Sequence, residues 1–231
     1  MRRSAALVAL AALAGCARRP PPAPRAAATP GRPVRIVALG DSLAFGTGAS
    51  APRNAFIFQA YLRVLAQHPG SRVDNFAIGG STAADVLRLQ VPRLAHARAD
   101  VVVVCVGGND VVHRVAADDF ARTYANLVAR VRALRPNAAI VCCGVPDVGL
   151  SPLFTGADHD AVTRLSREND AAIRAVARRT GAAFVDLYAT TLREHGDVNR
   201  FLSEDRFHPS DAGYAELANA LAPALLRAAA R

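Results

Sequence analysis

Lysine and tryptophan are missing from all 231 residues, and aromatic side chains make up only 6% of the chain. A formal net charge of +9 is therefore carried by arginine alone, with no aromatic platform beside it. Nucleic-acid binding calls for basic residues gathered on one face. Here they are scattered along helical stretches, which describes a solvated basic surface attracted at most to anionic lipid or cell-wall polymer. The missing tryptophan, with no carbohydrate-binding module, also argues against a dedicated polysaccharide enzyme. Cysteine is scarce: of four, Cys105, Cys142 and Cys143 lie in apolar runs without metal-ligand spacing. They read as small core residues, and no disulfide can be assigned from their positions. At 52% hydrophobic and 20% charged the chain is too apolar to be disordered, and its length fits one folded domain.

Arg2 and Arg3 precede an apolar run over residues 5–13, the layout of a signal peptide and too short for a comfortable membrane span. The run ends in Leu13-Ala14-Gly15-Cys16, which resembles the bacterial lipobox. That resemblance implies cleavage after residue 15, lipidation of Cys16 and an exported protein held at the cell envelope by its acyl chains. Each buried CH₂ is worth ~0.8 kcal/mol, so several chains anchor firmly. An uncleaved anchor and an ordinary secretory signal are the alternative readings. Residues 17–33, rich in Pro, Ala and Arg, read as an extended tether. Setting aside Arg2 and Arg3 leaves a charge of +7.

From residue 34 onward, short apolar runs alternate with longer amphipathic ones. Residues 34–39, 72–76, 101–106, 138–143 and 182–185 read as strands of a parallel sheet. Residues 55–67, 82–97, 117–134, 161–180 and 211–227 carry apolar side chains at helical spacing, with Ser210 available to cap the last. The alternation predicts βαβ units in a three-layer α/β sandwich, with residues 146–160 as an irregular, substrate-facing loop. Ligands of an open parallel sheet bind beyond the carboxyl ends of its strands. Those ends carry Gly40-Asp41-Ser42, Gly79-Gly80, Gly107-Gly108-Asn109-Asp110 and Pro146-Asp147.

Each of these segments has a structural reading. A Ser after a strand is commonly a turn or cap residue, and Gly-Asn-Asp suits a tight turn. Asp205-Arg206-Phe207-His208 is more specific. A carboxylate three residues before an imidazole reaches its Nδ1–H, fixes the tautomer and leaves Nε2 to take a proton. His68, His96, His113, His159 and His195 have no comparable partner and read as surface or structural residues.

Together, in this order and each after its strand, the segments from residue 34 to the C-terminus resemble the SGNH or GDSL hydrolase superfamily. The resemblance implies a flavodoxin-like α/β/α fold with a central five-stranded parallel sheet and a serine esterase activity. It assigns Ser42 as nucleophile, Asp205 and His208 as the acid–base pair, and Ser42, Gly80 and Asn109 as the oxyanion hole. Asp41 and Asp110 are expected to hold the turns, and Asp147 to border the pocket. The family's first block often continues beyond Gly-Asp-Ser with Thr or Ser, whereas Leu43-Ala44-Phe45-Gly46 follows here. No metal or cofactor is implied. The expected substrate is a carboxyl ester, a lysophospholipid or an acyl thioester, with an O-acetyl sugar as the alternative and a noncatalytic envelope-binding lipoprotein as the reading of another class. The expected assembly is a monomer.

Overall fold

A computed structural model describes residues 30–192 and 198–231. The leader, Cys16 and nearly all of the tether lie outside the described residues, as does His195. Five strands, β1 (Arg35–Gly40), β2 (Arg72–Asn75), β3 (Val101–Cys105), β4 (Ala139–Cys143) and β5 (Ala183–Val185), form one sheet in the order β2-β1-β3-β4-β5. Every pairing is parallel. The helices are α1 (Ser42–Phe45), α2 (Phe56–Gln67), α3 (Ala83–Asp85), α4 (Gly108–Val112), α5 (Ala117–Leu134), α6 (Gly156–Thr180), α7 (Leu187–Leu192), α8 (Val198–Phe201) and α9 (Asp211–Ala229). The three-layer α/β architecture expected from the alternation is the one observed.

The sheet is buried on both faces, and period-2 alternation sorts its side chains between two cores. Ile36, Ala38, Val101, Val103 and Val141 point toward α2 and α9, where Phe56, Ala60, Leu221 and Leu225 meet them. Val37, Leu39, Val102, Val104 and Ile140 point toward α5 and α6, packing on Phe120, Leu127 and Ile173. A fully buried Leu of this kind stabilises by ~1.5–3 kcal/mol relative to exposure. Cys105, Cys142 and Cys143 are free and buried within these layers, as expected of core residues. Among the described residues no helix is long and apolar enough to cross a membrane.

Two expectations need correction. The helix expected over residues 82–97 is broken: α3 gives way to a π-helical turn at Val86–Gln90 and a 3-10 segment at Val91–His96. Pro92 has no N–H to continue the ladder, and the Val91 N–H bonds back to the Val86 carbonyl five residues earlier. The wider turn brings in Gln90, which is fully buried and clamps the end of β1: its Oε1 accepts from Gly40 N (2.8 Å) and its Nε2 donates to Gly40 O (2.7 Å). The loop expected over 146–160 is shorter, with a 3-10 turn at Val148–Leu150 and α6 starting at Gly156. The first turn of α6 is exposed throughout, so it carries no apolar periodicity to announce it.

Gln90→Leu leaves the Gly40 N–H without this side-chain acceptor in a dry interior. The expected loss is ~1–3 kcal/mol, the cost of an unsatisfied buried polar group, read as a lower urea midpoint. An unchanged midpoint contradicts the clamp.

Candidate active site

Ser42 is the first residue of α1, immediately after β1. Gly40 is required behind it, since a Cβ there would run into the Cys105 carbonyl of β3 and the Ala44 methyl. Asp41 caps α1: its buried carboxylate accepts from Leu43 N (3.0 Å) and, across the strand ends, from Gly107 N (3.3 Å). One side chain thus joins the carboxyl ends of β1 and β3. Burial pushes the Asp41 carboxyl up to about 6 against the lowering effect of these N–H groups.

His208 comes from the segment before α9. The Ser42 hydroxyl donates to its Nε2 at 2.8 Å, and its Nδ1–H donates to Asp205 Oδ2 at 2.6 Å. Asp205 Oδ1 also accepts from Phe207 N, His208 N and the Ser203 hydroxyl. Partial burial pushes the Asp205 carboxyl up, but the hydrogen bonds from His208, Phe207 and Ser203 outweigh it and hold the group well below the usual carboxylate range. The Phe207 ring stands edge-on to the imidazole at 4.9 Å.

Sequence reasoning missed the groups that brace this loop. Ser203 donates its N–H to His208 O (2.8 Å) and accepts from Arg206 N (2.9 Å) besides binding Asp205. The Ser151 hydroxyl holds Arg206 O (2.8 Å), fixing a residue that sits in the left-handed region (φ 59°). Gly48, at φ 91°, packs so closely that a Cβ would lie 2.8 Å from Ser203 Oγ and 3.0 Å from His208 Cβ. Tyr214 anchors α9 to the same turn through Thr47 O (2.7 Å), and Ser210 caps α9 as its sequence suggested. Only the local Asp-x-x-His spacing was visible in advance; Ser203, Gly48 and Ser151 carry no motif.

On the other side of Ser42, Gly79 and Gly80 follow β2, and a Cβ at Gly79 would contact Ser42 Cβ at 3.9 Å. Gly80 has φ 80° and open space where a Cβ would be, two residues before Thr82, which caps α3. Asn109, in the first turn of α4, donates one amide hydrogen to Ser81 O (3.1 Å), which fixes the side chain and leaves its second N–H unused by that bond. Asp110 is buried and accepts from Ala83 N (3.0 Å), tying α4 to α3, and burial pushes its carboxyl up to about 6. Ser42, Asn109, His208 and Asp147 all line one cavity of about 130 Å³.

Of the remaining histidines, His68 is buried with Nδ1 at 2.9 Å from the Arg32 carbonyl, a structural role, while His96, His113 and His159 are exposed. Among the described residues no group of three or more His, Cys, Asp or Glu side chains could hold a metal.

The site thus sets a serine-bearing turn after the first strand of a five-stranded parallel sheet against an imidazole–carboxylate pair before the last helix. The chain matches the GDSL-like Lipase/Acylhydrolase family over residues 38–216 and belongs to it. It is 31% identical over 154 residues to platelet-activating factor acetylhydrolase IB subunit alpha1 of Rattus norvegicus, covering 66% of this chain and 63% of that protein. It is 32% identical over 202 residues to a GDSL-like esterase of Mycobacterium tuberculosis, covering 83% of this chain and 62% of the relative. The chain therefore spans less than two thirds of the length of these relatives. Its fold is shared with TesA (TM-score 0.66, 24% identity, 84% of this chain and 99% of the other). It is shared equally with the acetylxylan esterase Axe2 of Geobacillus stearothermophilus (TM-score 0.68, 22% identity, 87% and 96%).

The raised carboxyls give a signed pH dependence. Between the ordinary carboxylate value and about 6, folded Asp41 and Asp110 keep protons that the unfolded chain has released, so each makes stability fall as pH rises through that window. Asp205, held low, acts in the opposite sense: its stabilisation is present above the unfolded value and is lost as pH falls toward the folded one. Asp110→Asn is expected to flatten the fall in urea midpoint between pH 4 and pH 7. An unaltered pH profile contradicts the assignment.

Proposed function

We propose that this protein is a serine ester hydrolase of the carboxylesterase or lysophospholipase kind, with Ser42 as nucleophile, His208 as general base and Asp205 as its orienting carboxylate. The observation that carries this is the unbroken relay from Ser42 Oγ through both ring nitrogens of His208 to Asp205, with contacts of 2.8 and 2.6 Å. A serine hydroxyl is a weak nucleophile at neutral pH. His208 Nε2 takes its proton as Oγ bonds to the acyl carbon, and Asp205, ionised throughout, stabilises the imidazolium. The tetrahedral intermediate carries its charge on the former carbonyl oxygen. The Ser42 N–H, free of an intrahelical acceptor because it opens α1, serves that oxygen with the Gly80 N–H and the second N–H of Asn109. Asp41 and Asp110 hold the turns that present these donors. Collapse breaks the bond to the alcohol, which leaves with the proton from His208. Water, deprotonated by the same ring, then releases the acid and restores Ser42. No step calls for a metal or cofactor.

A second reading, removal of an O-acetyl group, is favoured by the names of two similar proteins, an acetylhydrolase and an acetylxylan esterase. We further propose that residues 1–15 direct export and that Cys16 is lipidated, tethering the enzyme at the cell envelope.

On p-nitrophenyl esters, Ser42→Ala and His208→Ala are each expected to lower kcat by at least ~10³-fold while the thermal transition persists. Asn109→Ala should cost ~10²–10³-fold, the effect of one oxyanion donor. His113→Ala should change little. Equal losses at His113 and His208, or no loss at Ser42, contradict the assignment. For the tether, Cys16→Ser should move the protein from the membrane fraction to the soluble one; continued retention points to an uncleaved anchor.

A further inference from the structure

The fold gathers at one end arginines that the sequence scatters. β1 and β2 start level with each other on Arg35 and Arg72, both exposed and in direct register. Like charges so placed oppose each other. Neither has a carboxylate partner among the described residues, and nor does Arg98, exposed in the stretch that leads into β3. Arg178, Arg179 and Arg227 join them from the last turns of α6 and α9, which run back from the catalytic rim to this end. A helix macrodipole explains a cation in a last turn. It does not explain Arg35, Arg72 or Arg98, which belong to strands and a loop.

Arg35, Arg98 and Arg135 line one open groove of about 670 Å³, together with His96 and Asn137. The carboxylate in its wall, Asp100, is already occupied: Oδ1 accepts from the Arg32 guanidinium (3.1 Å) and Oδ2 from Arg35 N (2.7 Å). Arg135 donates to the carbonyls of Leu94 and Ala97, which fix it but leave its charge uncancelled. The groove therefore attracts anions. It lies at the far end of the strands from Ser42, since β1 runs from Arg35 in its wall to Gly40 beneath the serine turn.

The chain also enters the domain here, with Arg32 closing on Asp100. Fully extended at ~3.3–3.6 Å per residue, the segment between Cys16 and Pro30 cannot hold the domain more than ~50 Å from the lipid. Such a reach lets any face meet the bilayer, so charge selects the one that does. Anionic headgroups present phosphates, which a guanidinium pairs through two parallel hydrogen bonds. Resting on the Cys16 tether proposed above, we propose that the face formed by the strand starts and the ends of α5, α6 and α9 lies on anionic phospholipid. The groove of Arg35, Arg98 and Arg135 seats headgroup phosphates. Ser42 then points away from the bilayer, and its ester arrives from the aqueous side.

The test is co-sedimentation of the purified Cys16→Ser chain with excess vesicles of mixed phosphatidylglycerol and phosphatidylcholine, against phosphatidylcholine alone, with p-nitrophenyl ester turnover followed in the bound fraction. The contact is weak without acyl chains, so washing releases this variant from cell membranes while excess vesicles still bind it. Binding is expected only to the anionic vesicles, and should fall as salt rises from ~0.1 to ~1 M and the screening length shrinks from ~10 to ~3 Å. Arg35→Ala and Arg98→Ala should each weaken it about fivefold, the equivalent of ~1 kcal/mol for one basic residue at an anionic surface, with melting temperature and turnover unchanged. Arg53→Ala, in the Pro52–Asn54 turn that binds Asp211 at the catalytic end, should bind like the parent. Turnover of the soluble ester should persist in the bound protein. Equal binding to neutral vesicles, indifference to both groove variants, or loss of turnover on binding overturns the proposal, the last by setting the catalytic rim on the lipid. Tighter binding to a DNA duplex or to polyphosphate than to anionic vesicles at equal phosphate concentration also overturns it. Failure of the tether reading shows separately, as retention of Cys16→Ser in washed cell membranes.

Discussion

Ser42 Oγ and His208 Nε2 lie 2.8 Å apart although 166 residues separate them in the chain, and most of the molecule can be understood as holding that contact. The parallel register of β1 against β3 brings Gly40 level with Cys105, so both strands deliver their next residues to one rim. Asp41 locks the two ends together and Gln90 clamps the last residue of β1 from one side. From the other side, α9 packs on α2 and the sheet, tied through Tyr214 and Asp211 to the turn after α1. The histidine loop is thereby fixed to the segment that carries the serine, and the two side chains are held in hydrogen-bond contact.

The cost of this arrangement is visible in the carboxylates. Asp41 and Asp110 are buried and titrate near 6, which opposes stability at neutral pH. Asp205, at the surface end of the relay and surrounded by donors, is held low and ionised. Three aspartates within one site thus do different work: two tie turns together through backbone N–H groups, and one accepts from the ring of His208.

Much of this was legible in the sequence, for physical reasons that can be named. Val101 to Val106 is apolar without interruption because both faces of the central strand are covered, and 117–134 shows helical spacing because only one face of α5 is buried. The serine turn and the Asp-x-x-His segment were visible because their geometry is local. Gln90 was hidden because a polar residue in an amphipathic run looks like its solvent face until Pro92 and the widened turn rotate it inward. Ser203, Gly48 and Ser151 were hidden because they act on residues far along the chain or through backbone contacts that no spacing reports. The start of α6 was missed because its first turn is exposed, held by the Arg114–Asp158 ion pair and not by apolar packing.

The central claim, that Ser42 is activated by His208, is tested most directly by titrating the protein with a chromogenic organophosphonate ester and mapping the adduct by peptide mass spectrometry. The account predicts release of one leaving group per chain, a phosphonyl group on the peptide containing Ser42, and almost none when His208 is replaced by Ala. Phosphonylation elsewhere, or equal labelling of Ser42 without His208, would contradict it.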